Sequence, residues 1–145
     1  LGLFLILGAI SFAAPKFVDM AKVKNAGYII KNEREDILTM AISDDDSAII
    51  ISFSTANISS KEISDLLKSN ALRNSENFIA TLDNNRAYIN EFEAQGFYSY
   101  MIVPKKEKVK NQHTYATYVS SKKLSKNDLS KITNAILDEA ESYIK

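Results

Sequence analysis

Between Phe78 and Ser120 the chain sets out four strand patterns in succession, and helical patterns stand on both sides of them. Phe78 to Leu82 and Ala87 to Phe92 flank Asp83-Asn84-Asn85-Arg86, a turn in which asparagine tolerates the positive φ of tight hairpins. Phe97 to Val103 follows the Gln95-Gly96 turn and ends at Pro104. Beyond the lysine-rich loop Lys105 to Gln112, Thr114 to Ser120 alternates Tyr115, Thr117 and Val119 against Ala116 and Tyr118. Such a run folds only as an antiparallel meander, which must bury at least one face under another layer.

Upstream, Tyr28 to Lys31 reads as a strand followed by a polar turn over Asn32 to Asp36. Ile37 to Ile42 and Ala48 to Ser54 read as two more strands joined at Asp44-Asp45-Asp46, with Ile49, Ile50 and Ile51 forming an apolar run. Ser59 opens S-S-K-E, a capping box, and Ile63, Leu66, Leu67 and Ala71 continue on one face, so a helix is expected from Ser59 to about Asn70. A short first helix around Phe17, Met20 and Ala21 is expected to close at Gly27. The closing helix spans Ser125 to Ile144, with Ser125 and Asp128 as its cap and Leu129, Ile132, Ile136, Ala140 and Tyr143 along one stripe. The expected fold is α+β: a single antiparallel sheet of about six to seven strands packed against two main helices.

The first residues are of a different kind. Leu1 to Ile10 is uncharged and apolar, and Ser11-Phe12-Ala13 supplies small residues at the −3 and −1 positions of a leader cleavage site. Cleavage after Ala13 is expected, which makes residues 1–13 the remnant of a signal peptide and 14–145 a single globular domain. The apolar run is shorter than the ~20 residues that span a bilayer, so no transmembrane segment is expected in the mature chain. The chain has no cysteine. An exported domain of this composition is therefore expected to hold together without disulfides or an acylated cysteine, and to be released as a periplasmic or extracellular protein. With 18 basic and 18 acidic residues the formal charge is zero, so nucleic acid is not an expected partner.

The strand, helix, meander, helix order from about Ile37 to Ile144 resembles the PsbP-like group of small exported domains. The stretch LDNNRAYINEFEAQGFYSYMIVP is similar to the family's turn, central strands and following loop, and ITNAILDEAESY to its closing helix. Asn84 and Asn85 stand where the family usually has a turn glycine, and the early tryptophan of the family is missing, since this chain contains no Trp. The resemblance implies an accessory or binding role without catalysis and carries over no site residue.

Chemistry is sparse. The one histidine, His113, stands at the join of the lysine-rich loop and a strand, and no G-x-S-x-G turn presents a serine nucleophile. Asp44, Asp45 and Asp46 lack the alternation, mid-loop glycine and distal glutamate of a Ca²⁺ loop, and read as a solvated turn. Glu91 and Glu93 share a strand face and are expected to point to solvent, with Phe92 in the core. Asn57-Ile58-Ser59 is a glycosylation sequon whose serine is also the expected helix cap.

No catalytic residue, metal site or cofactor is expected. Two surface features remain. Lys105, Lys106, Lys108 and Lys110, with Lys122, Lys123 and Lys126 near the last helix, oppose an acidic group of Glu33, Glu35, Asp36 and Asp44 to Asp46, a dipole able to draw an anionic surface. Tyr98, Tyr100, Tyr115 and Tyr118 are candidates for a binding face. The expected role is a non-catalytic accessory or binding protein of the bacterial envelope, its partner an envelope protein or an anionic surface such as lipid head groups or cell-wall polymer. The alternatives are a hydrolase using carboxylates with His113, and a module binding anionic surfaces through the Lys105 to Lys110 loop.

Overall fold

The computed structural model describes residues 14–145; the expected leader and its cleavage site at Ala13 lie outside the described residues. In chain order the elements are α1 (Met20–Asn25), β1 (Ile29–Arg34), β2 (Ile37–Ser43), β3 (Ser47–Thr55), α2 (Ser60–Arg73), β4 (Asn77–Asp83), β5 (Ala87–Ala94), β6 (Phe97–Pro104), β7 (Gln112–Ser120) and α3 (Lys126–Ser142). The fold is α+β, with a single seven-stranded sheet in the order β1-β2-β3-β7-β6-β5-β4, antiparallel throughout. Two meanders thus join along β3 and β7, which pair without a break from Ser47↔Ser120 to Thr55↔Gln112.

Local chemistry accounts for most of these elements. The Ser59 hydroxyl accepts from the Glu62 amide at 3.1 Å and donates to the Glu62 carboxylate at 3.2 Å, so the capping pair closes on the serine hydroxyl. Ser125 caps α3 through the Asp128 amide at 3.2 Å. Gly27 ends α1 with φ +83°, as its position in the sequence predicts. Gln95 and Gly96 both take positive φ, +53° and +82°, which makes a two-residue connection whose twist matches β5 and β6.

Two turns differ from expectation. Asn84 and Asn85 do not adopt positive φ; instead the Asn84 side-chain Oδ1 accepts from the amides of Arg86 at 2.8 Å and Ala87 at 3.2 Å, a side-chain turn that needs no left-handed residue. The predicted turn over Asn32 to Asp36 shrinks to Glu35 and Asp36, because Asn32–Arg34 continue β1. As an edge strand β1 tolerates polar residues. Both edges also carry a bulge, between Ile30 and Asn32 in β1 and between Phe78 and Ala80 in β4, which disrupts the ladder available to a neighbouring chain.

The main core lies on one face of the sheet. Leu38, Met40, Ile51, Phe53, Ile89, Tyr100, Ile102 and Ala116 pack there against Leu129, Ile136, Leu137 and Ala140 of α3 and Val23 of α1. On the opposite face α2 packs on β5 and β6, burying Ile63 and Ala71 near Phe92 and Val103, and the Asn90 amide donates to the Ser64 hydroxyl at 3.1 Å. The architecture is a three-layer sandwich. The segment before α1 is also stapled to the residues after α3: Val18 bridges Ile144, the Asp19 amide donates to the Tyr143 carbonyl at 2.7 Å, and the Lys145 amide donates to the Phe17 carbonyl at 2.8 Å.

The core assignment predicts that Leu137→Ala and Ile51→Ala each lose about 2–5 kcal/mol in chemical denaturation. Ile29→Ala, at a side chain 62 % exposed, should stay within about 0.5 kcal/mol of the parent.

Candidate functional site

The lysine-rich loop leaves β6 at Pro104 and is tied down at several points. The Lys105 amide donates to the Arg86 carbonyl at 2.9 Å, and the Lys105 ammonium stands 5.6 Å from the centre of the Tyr88 ring. Lys108 pairs with Glu141 at 2.9 Å, and Arg86 lies 2.8 Å from Asp138 and 3.4 Å from Glu141. An open hollow of about 420 Å³ is bordered by Arg86, Pro104, Lys105, Lys106, Lys108 and Glu141. Carboxylates of α3 thus offset much of the charge around it. Lys106 and Lys110 make no ion pair among the described residues.

The two lysine groups do not merge into one patch. Lys105 follows Pro104, which pairs with Ala87, whereas Lys122 follows Ser120, which pairs with Tyr98 and Ser47; the groups occupy opposite ends of the sheet. Each end also holds acids. The Asp46 carbonyl accepts from the Ser121 amide at 3.0 Å, and the Asp36 carbonyl accepts from the amide of Thr55, whose strand partner Gln112 closes the lysine-rich loop. The dipole expected from the sequence is therefore dispersed in space. Asp44 itself is a turn residue: its Oδ1 accepts from the Asp46 and Ser47 amides, both at 2.8 Å, and these bonds hold its carboxyl below the usual carboxylate range.

His113 is not a surface loop residue. It lies within β7, 4 % exposed, with Nε2 3.1 Å from the Ala56 carbonyl and 3.7 Å from Glu107 Oε2. Glu107 Oε2 also accepts from the Asn111 amide at 2.7 Å. The imidazole therefore ties the loop to the segment that leads into α2. Glu91 departs from expectation in the other direction. Helices cover both faces of β5, so Phe92 is buried on the α2 side, edge to face with Phe78, while Glu91 is 3 % exposed on the α3 side. His113 and Glu91 stand on opposite faces of the sheet and do not form an acid/base pair.

The tyrosines are divided in the same way. Tyr98, Tyr100 and Tyr118 lie on the α3 face, with Tyr100 fully buried and its hydroxyl accepting from the Leu124 amide at 2.8 Å. Tyr115 lies on the other face beside Ser52 and Ser54. No common tyrosine lining exists.

A surface that periodicity alone does not reveal emerges from the register. On the α2 side, β2 carries Ile37, Thr39, Ala41 and Ser43, β3 carries Ala48, Ile50, Ser52 and Ser54, and β7 carries His113, Tyr115, Thr117 and Val119; of these Ser52, Ser54 and His113 are buried. Across the strands these align as Thr39, Ser52, Tyr115; Ala41, Ile50, Thr117; and Ser43, Ala48, Val119. No Asp, Glu, Lys or Arg occurs among them, although a quarter of the chain is charged. Because α2 packs on β5 and β6, Ala41, Ile50, Thr117 and Val119 remain half-buried rather than covered. Where this surface meets the flank of α2, a groove of about 280 Å³ runs between Ile37 and Tyr115 on the sheet and Ile63, Leu66 and Leu67 on the helix, with the ion-paired Arg34 and Asp36 also on its border. Leu66, on the helix face that the sequence assigns to Ile63, Leu67 and Ala71, is 52 % exposed beside it. A signal for this surface was present in the sequence, in the lack of charge at alternate positions of three strands, but only their pairing assembles it.

No family model matches the chain, and no curated protein or solved structure matches it either.

The buried phenol of Tyr100 gives the region around Glu91 a measurable pH dependence. Burial, opposed by the Leu124 amide and reinforced by Glu91, pushes the hydroxyl up to about 12 from an ordinary value of 10.0. The unfolded chain then loses this proton first, so the contribution of Tyr100 is complete below pH 10.0 and is lost as pH rises through about 12. Unfolding free energy measured across that range should decline, with a shallower slope in Tyr100→Phe.

Proposed function

We propose that this chain is a non-catalytic binding module that docks a partner polypeptide on the open half of its sheet. The observation that carries the reading is the uncharged surface over β2, β3 and β7, centred on Ala41, Ile50 and Thr117. Contiguous uncharged surface of this kind is unusual on an unpartnered domain and marks a site of association.

The occupant that fits is an amphipathic helix lying beside α2. A helix is about 10 Å across and strands are about 4.8 Å apart, so one helix covers two strands, as α2 covers β5 and β6. The four strands beyond, β7, β3, β2 and the edge strand β1, leave width for another. Ala41, Ala48, Ser52 and Thr117 are small enough for close approach, and the exposed Leu66 supplies an apolar side wall. Such a partner completes the third layer of the sandwich.

The apolar segment Leu1 to Ile10, with the small residues Ser11 and Ala13 after it, supports a place outside the cytoplasm, in the bacterial envelope. Among the described residues no helix is long and apolar enough to cross a membrane. The resemblance of the element order to that of PsbP-like domains supports an accessory role. An anionic surface engaging Lys106 and Lys110 is the competing partner, and one experiment separates the two.

A photoreactive residue introduced at Ile50 or Thr117 should give a discrete protein adduct in cells, and one at Lys106 should give none. Ile50→Lys should weaken capture of the same partner by about tenfold or more while leaving the thermal midpoint unchanged. Adducts from Lys106 with none from Ile50 or Thr117 would transfer the binding role to the lysine-rich loop.

A further inference from the structure

The hollow of about 420 Å³ beyond the end of β6 is bordered by four cationic side chains, those of Arg86, Lys105, Lys106 and Lys108, and by one carboxylate, that of Glu141. Asn85 and Pro104 complete its border. Its volume falls within the range of small-molecule sites. Like charges gathered round one hollow repel each other, and an anion placed between them relieves that cost.

The fold holds three of the four cations in position. Arg86 is fixed from behind by α3: its Nη2 lies 2.8 Å from Asp138 and 3.4 Å from Glu141, and its Nη1 donates to the Asn134 carbonyl at 3.5 Å and to the Asn134 Oδ1 at 3.4 Å. The Lys105 amide is bonded to the Arg86 carbonyl, and its ammonium stands over the Tyr88 ring. Lys108 gives one of its three donors to Glu141 at 2.9 Å. Lys106 is exposed and makes no ion pair among the described residues. Cations held in place before a ligand arrives cost it little ordering entropy. Glu141, which bridges Arg86 and Lys108, marks the position between them where negative charge is already accepted.

We infer that this hollow binds a small phosphate monoester, free in solution or as the head group of a lipid. A monoester near neutral pH carries about 1.5 to 2 negative charges on three acceptor oxygens, enough to engage Arg86, Lys106 and Lys108 together. Its carbon chain leaves past Pro104. Glu141 competes for the same cations and so limits the affinity. Lys110 belongs to the same loop but does not border the hollow. The site shares no residue with the docking surface over β2, β3 and β7 and does not depend on that reading.

NMR titration of the folded chain with glycerol 3-phosphate, and with dimethyl phosphate as a singly charged diester, tests this. Glycerol 3-phosphate should shift the amides of Arg86, Lys105, Lys106 and Lys108 and bind about tenfold more tightly than dimethyl phosphate. Lys106→Ala changes an exposed side chain and should weaken glycerol 3-phosphate several-fold at an unchanged thermal midpoint, whereas Lys110→Ala should leave its affinity as it was. Glu141→Gln should tighten binding, because it releases Lys108 while Asp138 still holds Arg86. Sedimentation with phosphatidylcholine vesicles that contain phosphatidic acid separates the two sources. Pelleting that Lys106→Ala abolishes assigns the site to a lipid head group, and binding of glycerol 3-phosphate without pelleting assigns it to a free ester. No binding of glycerol 3-phosphate, equal affinity for the two phosphates, or equal losses in Lys106→Ala and Lys110→Ala would each overturn the assignment.

Discussion

The pairing of β3 with β7 is the contact on which the rest of the structure depends. It joins residues from Ser47–Thr55 to residues from Gln112–Ser120, and between them in the chain come α2 and the whole of β4, β5 and β6. Without it there are two separate meanders of three and four strands, each with a half-exposed apolar face. With it, Ile51 and Phe53 of the first meander and Tyr100, Ile102 and Ala116 of the second form one floor, on which α3 can lie. The register sets every alternation on both faces, because a slip of one residue would exchange Ile51 for Ile50 and send the core outward.

The same seam explains why the two faces differ. On the core side, α1 and α3 share the covering of the sheet, and the Val18–Ile144 bridge closes its border near Tyr143. Among the described residues α2 is the only helix packed on the other side, and its position over β5 and β6 leaves β7, β3, β2 and β1 without a layer. The residues of β7, β3 and β2 on that side are what such a position allows if it is sometimes wet and sometimes covered: Ala, Ser, Thr and Ile, with Thr39 and Ser52 bonded to each other at 3.1 Å. A permanently solvated face in a chain with so many lysines and acids would be expected to carry some of them.

Much of the fold was legible in the sequence because the devices that make it are local. Ser59 and Ser125 cap their helices, Gly27 and Gly96 take positive φ, and the period-two alternation from Thr114 to Ser120 gives the two faces of β7. The departures come from long-range packing, which local patterns do not record. In a two-layer fold a core Phe92 would send Glu91 to solvent; in three layers both are inside. His113 read as a loop residue because its buried partners, the Ala56 carbonyl and Glu107, are set by the packing of distant segments. The lysines were read as one field because they are close in sequence to one another, while the ends of β6 and β7 separate them. The open surface could not be read at all without register, since it is composed of every second residue of three strands.

Solvent accessibility of individual methyl groups tests the central claim most directly. A neutral paramagnetic agent should broaden the methyl signals of Ala41, Ile50, Thr117 and Val119 in the isolated chain while leaving those of Leu38, Ile51 and Ala116 sharp. In the complex with the cross-linked partner the first set should be protected and the lysine-rich loop should remain accessible. Protection of Ala41, Ile50 and Thr117 in the isolated chain, or no change there on complex formation, would contradict the account.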